Sequence, residues 1–202
     1  VLVEKPMALA LPEAREMAAA CENAGVYLTE GYMMKLHALH QKARDMVAQG
    51  DVGQVVFARA QLSCWYPDIP GAWRQDPKLG GGGALIDMAT HGYDLLQYIV
   101  GSRVSEVMAL TDTLTFGYPV EDSSTTLLRF ENGAHGVVDA FFNVPDAAGQ
   151  DRLEIYGNKG SIQAEGTIGQ LPGGKMVAYT SELAREYDPE QSKASLDVAV
   201  KE

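Results

Sequence analysis

The sequence predicts a piece of parallel α/β structure followed by an antiparallel α+β domain, and three observations carry that prediction. Residues 1–30 spell strand, helix, strand, the repeating unit of a parallel sheet. Residues 104–166 hold short apolar-alternating segments divided by turn residues, the texture of an antiparallel sheet. Before them, helical periodicity resumes directly after four consecutive glycines at 80–83.

Val1, Leu2 and Val3 are apolar on both faces, as a buried parallel strand requires. A helix follows, with Pro12 in its first turn, Ala14, Met17, Ala18 and Cys21 on one face, and Gly25 as its stop. Residues 26–29 give the second strand. One such unit leaves its strands uncovered, so the opening reads as the tail of a larger nucleotide-binding-type domain whose earlier strands lie outside this sequence. A second helix over 39–49 places Ala43, Met46 and Val47 on its apolar stripe and is capped by Gly50.

From Gln54, VVFARAQLSCW alternates as a strand does, and WYPDIPGAWRQDPKLGGGG forms a long loop rich in Pro and Gly. The third helix, 84–100, stops at Gly101. Then come the strands VSEVMALTD, STTLLRFENG, AHGVVDAFFNV, RLEIYG and SIQAEG. Asn132-Gly133 predicts a type I′ hairpin, and GNKG at 157–160 a second turn. From Leu183 the chain is polar with little periodicity, the pattern of a frayed end or of an element cut from its partner.

Composition excludes several classes. Hydrophobic residues at 46% and charged residues at 21% suit a soluble domain with a real core. No apolar run approaches the ~18 to 20 residues of a membrane span, and Glu4 and Lys5 interrupt what would otherwise open a signal peptide. A formal charge of −11 argues against a general nucleic-acid binder. Cys21 and Cys64 stand far apart without a CxxC, as expected of reduced thiols in a cytoplasmic protein.

Two motifs carry chemistry. Lys5 stands one residue past the end of a parallel strand, where crevices open and functional groups collect. An amine there can hold a substrate hydroxyl or transfer a proton, and Pro6 restricts its backbone, with a cis bond as one outcome. The structural alternative is a solvated turn lysine. In GGGGALIDMATHGYDLL, Asp87 and His91 are four apart and share one helix face, with Asp94 on the next stripe. The glycines clear the approach to the helix N-terminus, where backbone N–H groups and the dipole favour a ligand. Structurally, Asp87 complements the dipole and His91 is a satisfied core histidine.

Asp87, His91, Asp94, His37 and His40 also permit a zinc or manganese site, but neither HExxH nor paired CxxC is present, and no metal is expected. His135 is a sheet residue. GQLPGGKM at 169–176 fits GxxxxGK only until Met176, where the magnesium-holding hydroxyl should be, and is a turn. The loop with Trp65, Tyr66, Trp73 and Arg74 suits stacking on a sugar ring, or is pinned by its own aromatics.

EKP after a strand, EGYMMKLH entering a helix and GGGALIDMATHGYDLL ahead of the sheet occur in one order and spacing. Together they resemble the Gfo/Idh/MocA oxidoreductases, the glucose-fructose oxidoreductase and inositol dehydrogenase group, over nearly the whole chain. Met33, Met34, Lys35 and Ala38 depart from the family's usual residues.

The resemblance implies an end of a Rossmann-type NAD(P)-binding domain at 1–32 and an open-faced, mostly antiparallel sheet domain with helices on one side at 33–202. The latter would bind substrate and form subunit contacts. It implies a sugar, inositol or related polyol as substrate. Lys5 and His91 would act in proton transfer and substrate positioning, with Asp87 beside them helping to bind substrate. Glu4, Lys5 and Pro6 would shape the nicotinamide edge, and Trp73 and Arg74, on their own chemistry as a ring beside a cation, are expected to help bind such a substrate. NAD or NADP would bind mostly outside this sequence, so the segment alone is expected to be inactive. A homodimer or homotetramer through the sheet face is implied, with no nucleic-acid or membrane partner. Two other classes fit parts of the sequence: an inactive sheet-forming assembly module, and a metal-dependent hydrolase or isomerase.

Overall fold

The computed structural model describes residues 1–180 and the backbone of 199–201. Strands β1 (Leu2–Val3) and β2 (Thr29–Glu30) pair in parallel, Leu2 opposite Thr29, and helix α1 (Leu11–Asn23) connects them. Pro12 lies in the first turn, the Glu13 carboxylate accepts the Ala10 N–H at 3.2 Å, and Gly25 takes a left-handed φ of 65°. The expected strand at 26–29 starts only at Thr29, because the parallel register puts residues 26–28 past the paired stretch.

Helix α2 (Ala38–Gln49) buries His40, Ala43 and Met46, and Gly50 caps it at φ 79°. The sheet that follows has the order β10-β9-β8-β7-β3-β6-β5-β4. Its strands are β3 (Val55–Ser63), β4 (Val104–Asp112), β5 (Ser123–Phe130), β6 (His135–Phe141), β7 (Arg152–Gly157), β8 (Gly160–Glu165), β9 (Lys175–Thr180) and β10 (Ala199–Lys201). Every neighbouring pair is antiparallel except β3 with β6. The architecture is therefore the expected open, mostly antiparallel sheet.

The expected helix over 84–100 is two pieces, a π-helical turn (Leu85–Ala89) running into α3 (Thr90–Val100). Along β3, Ala58, Ala60 and Leu62 turn toward the helices while Arg59 and Gln61 turn away, the period-2 alternation of a sheet covered on one side. Leu95, Leu96 and Ile99 of α3 are buried in that layer. Gly92 lets the helix lie close: a Cβ there would sit 2.6 Å from Val138 Cγ1. On the other face Met108, Leu110 and Leu127 are exposed, beside the ion pair Arg59–Asp139 at 2.6 Å.

Two further local outcomes differ from expectation, and one expectation lies largely outside the described residues. The 130–134 turn is not type I′ on Asn132-Gly133: the Gly133 N–H donates to Phe130 O, which centres the turn on Glu131-Asn132 with Gly133 left-handed behind it. Strand β9 lies where the sequence suggested no element, burying Met176 and Ala178 in alternation. The polar stretch from Leu183 falls largely on residues 181–198 and 202, outside the described residues. Among the described residues no helix is long and apolar enough to cross a membrane.

Candidate active site

Lys5 leaves the carboxyl end of β1 through a cis bond to Pro6. Its Nζ donates to Asp87 Oδ1 at 2.7 Å and to the Asp87 backbone carbonyl. Asp87 sits on the π-helical turn, a feature that recurs at functional sites because it redirects side chains out of α register. Arg74 Nε donates to the same Oδ1 at 3.0 Å, and its guanidinium lies 4.4 Å from the Trp73 ring centroid. Burial alone pushes the Asp87 carboxyl up, but the hydrogen bond and charge of Lys5, then Arg74, hold it below the ordinary carboxylate range.

His91 follows one turn later on α3, 6% exposed, its ring meeting Tyr32 edge-on at 5.5 Å. Burial, then the charge of Lys5, pushes its pKa down to about 4 against the opposing pull of Asp87. The imidazole is thus neutral near pH 7, and its buried Nδ1 has no hydrogen-bond partner among the described residues. Folding stability should consequently depend on pH. The unfolded imidazole takes up a proton near 6.5 and the folded one only near 4. His91 therefore contributes fully above the first value and loses its contribution as pH falls toward the second. His40, lowered by burial first, acts in the same sense. Urea midpoints from pH 7 to pH 4 should fall, with a shallower slope in His91→Gln; equal slopes would contradict the assignment.

Glu4, Lys5, Arg74, Asp87 and His91 line one cleft of about 540 Å³. The amine beyond β1 and the imidazole on the glycine-preceded helix therefore face one cleft, although the two residues are far apart in the chain. Pro6 and Trp73 lie outside the cleft lining; Trp73 acts on it only through Arg74. Trp65 packs edge-on against Phe116 at 5.0 Å, and Tyr66 packs against Phe142, so this part of the loop is pinned by its own aromatics.

The glycine run has another use than the one expected. Glu121 Oε1 accepts the N–H groups of Gly83 and Leu85 at 2.8 and 3.0 Å, and Glu121 O accepts that of Ala84. A carboxylate of this chain thus holds the amides that a ligand would have used, and the glycines allow the 121 backbone to come against them. Asp94 is committed to Lys35 at 2.9 Å, and His40 to Met34 O and Thr167 Oγ1. Among the described residues no group of three or more His, Cys, Asp or Glu is placed to hold a metal. Sequence reasoning missed Glu121, Tyr32, Ser63, Asp151 and Gln170. Tyr32 lies within EGYMMKLH and Gln170 within GQLPGGKM, but neither pattern singles out the residue itself; Glu121, Ser63 and Asp151 sit in no motif, and only the fold brings all five to the site.

With this geometry in place, comparison with known proteins is informative. Residues 40–163 match the model of the GFO/IDH/MocA C-terminal domain. The chain is 30% identical to a 1,5-anhydro-D-fructose reductase of Ensifer adhaerens over 90% of its own length and 54% of that protein's. The aldose-aldose oxidoreductase of Caulobacter crescentus, solved with glycerol, superposes with a TM-score of 0.81 at 28% identity, covering 96% of this chain and 57% of that one. The WlbA dehydrogenase of Bordetella pertussis, solved with NADH and UDP-GlcNAcA, gives 0.75 at 29% identity, covering 83% and 52%. The chain spans about half the length of the curated relatives it matches.

Proposed function

The chain belongs to the GFO/IDH/MocA family, and from that premise we propose that it supplies the catalytic and substrate-binding half of an NAD(P)-dependent oxidoreductase acting on a sugar, inositol or related polyol. The observation that carries this reading is the single cleft shared by Lys5, Asp87 and His91 at the carboxyl end of a parallel strand.

The residues present fit the nicotinamide end of a dinucleotide. An ammonium keeps one N–H beyond the two it gives to Asp87, a neutral imidazole has a buried nitrogen without a partner, and Met33, Met34 and Met88 make a soft apolar lining. The chain contains no GxGxxG for the pyrophosphate. Glu4, Lys5 and Pro6 would hold the nicotinamide edge, with 1–32 on the cofactor side and 33–202 on the substrate and subunit side. When bound, an oxidised nicotinamide supplies the hydride acceptor that no side chain provides.

The chain's own groups do the rest. Lys5, oriented by Asp87, donates to the reacting oxygen and lowers the cost of removing its proton. His91, unprotonated at neutral pH, accepts that proton. A base of depressed pKa is weak, and the neighbouring ammonium offsets that weakness by stabilising the developing alkoxide. Arg74 keeps Asp87 ionised and fixed, and Trp73 keeps Arg74 in place. The exposed apolar face of β4 and β5 supports assembly as a homodimer or homotetramer through the sheet. The free thiols Cys21 and Cys64 fit a cytoplasmic setting.

The test is isotopic. A complete enzyme containing this chain, given NAD⁺ or NADP⁺ and polyols deuterated at the carbinol carbon, should place deuterium on the reduced nicotinamide. Label in none of the products would overturn the reading.

A further inference from the structure

Resting on the functional reading above, we propose that Asp151 and Gln170 recognise the non-reacting hydroxyls of the substrate, so that the site selects polyhydroxylated molecules over simple alcohols. Both side chains line the cleft that holds Lys5 and His91, yet they come from its sheet side. Asp151 stands at the head of β7, beside the end of β3, and Gln170 lies in the loop joining β8 to β9.

The carboxylate is half used. Asp151 Oδ1 accepts the Ser63 N–H at 2.9 Å, while Oδ2 makes no hydrogen bond among the described residues. Next to it, Ser63 Oγ is buried without a partner. Gly149 makes room for that hydroxyl, since a Cβ at 149 would come 2.4 Å from it. The Gln170 carboxamide likewise has no hydrogen-bond partner among the described residues, although it can both donate and accept. An acceptor oxygen and a free amide lining one cleft match the hydroxyls of a polyol, each of which donates and accepts.

The loop carrying Gln170 is held rather than loose. His40 Nε2 meets Thr167 Oγ1 at 3.0 Å, both residues buried, and His37 Nε2 donates to Gly173 O at 3.0 Å. Two histidines with no place in the proton chemistry thus fix both ends of the 167–173 segment. Their spacing of three on the chain, which resembled metal ligation, serves this purpose instead. Burial, and after the opposing Ser63 N–H the charge of Asp146, raises the Asp151 carboxyl, and a substrate hydroxyl would give its second oxygen a donor. A molecule with a single hydroxyl would engage Lys5 and His91 while leaving the Asp151 oxygen dehydrated and unpaired.

The experiment uses the complete enzyme and two variants. Asp151→Asn keeps an oxygen for the Ser63 N–H, and Gln170→Ala changes only an exposed loop side chain. KM and kcat are measured with myo-inositol, D-xylose and D-glucose, and with cyclohexanol as the single-hydroxyl control. The loss of a charged hydrogen bond should raise KM for the polyol that is turned over by about 10- to 100-fold in Asp151→Asn. A smaller rise is expected in Gln170→Ala, with kcat nearly constant and cyclohexanol unaffected in both. Unchanged KM in both variants, or an equal rise with cyclohexanol, overturns this inference while leaving the functional reading intact. A parent enzyme that turns over none of the alcohols overturns the functional reading, and this inference with it.

Discussion

Replacing Lys5 by Ala in the complete enzyme is expected to lower kcat for polyol oxidation by about 10²- to 10⁴-fold, the range that one positioned proton-transfer group contributes. The Lys5 side chain is only 13% exposed and its ammonium is spent on one residue, Asp87, through both the carboxylate and the backbone carbonyl. Such an anchor fixes the direction of the remaining N–H, which is where a reacting oxygen would be held. Alanine removes that donor and also leaves Asp87 with Arg74 as its sole cation, so the carboxyl loses its largest downward influence. Arginine at position 5 should not restore the rate, because a guanidinium is longer, planar and cannot replace a compact ammonium at the same point. Steady-state kinetics with a thermal melt on each variant checks this: a large fall in kcat is expected in variants that still melt cooperatively, at a lower temperature because Asp87 loses its main partner. Full turnover would remove Lys5 from the chemistry.

Gly83→Ala should destabilise the fold by about 3 kcal/mol or more, at the upper end of what overpacking costs. A Cβ at 83 would lie 1.9 Å from the carbonyl oxygen of Glu121 and 2.9 Å from its carbon. Those are backbone atoms and cannot rotate away. Relief requires the 121 segment to move off, which breaks the hydrogen bonds from Gly83, Ala84 and Leu85 to Glu121 together. Gly82→Ala is the control, because its Cβ meets chiefly Ile86 Cγ1, a side-chain atom able to swing. Urea denaturation of both should show a much larger fall in midpoint for position 83. Equal midpoints would mean that the close approach of Glu121 does not govern the head of the helix.

Much of this was legible in the sequence, for identifiable reasons. Lys5 announced itself by following a strand, and Asp87 and His91 by their spacing of four after glycines; both are local signals. The helix stops at Gly25, Gly50 and Gly101 are likewise local, and all three residues adopt positive φ. The π-helical turn under Asp87 was not legible, since its letters are those of an ordinary helix. Glu121 was invisible for a different reason: it reaches its amides from 36 to 38 residues away, across a helix, a strand and a loop. Its effect was seen in the glycines and assigned to a ligand. Asp151 lacks any motif and Gln170 falls in a stretch that reads only as a turn, so both depend on which strands become neighbours in the sheet. Strand β9 did carry a signal, the alternation of Met176 and Ala178, which the preceding run of Gly and Pro obscured.

The central claim is that Lys5 and His91 act on one substrate in one cleft, and a double-mutant cycle measures that most directly. Lys5→Ala, His91→Ala and the double variant are compared by kcat/KM on the same polyol. Groups acting as a unit are strongly non-additive, so the double variant should lose little more than the worse single variant. Losses that multiply would show the amine and the imidazole working independently, and would contradict the account.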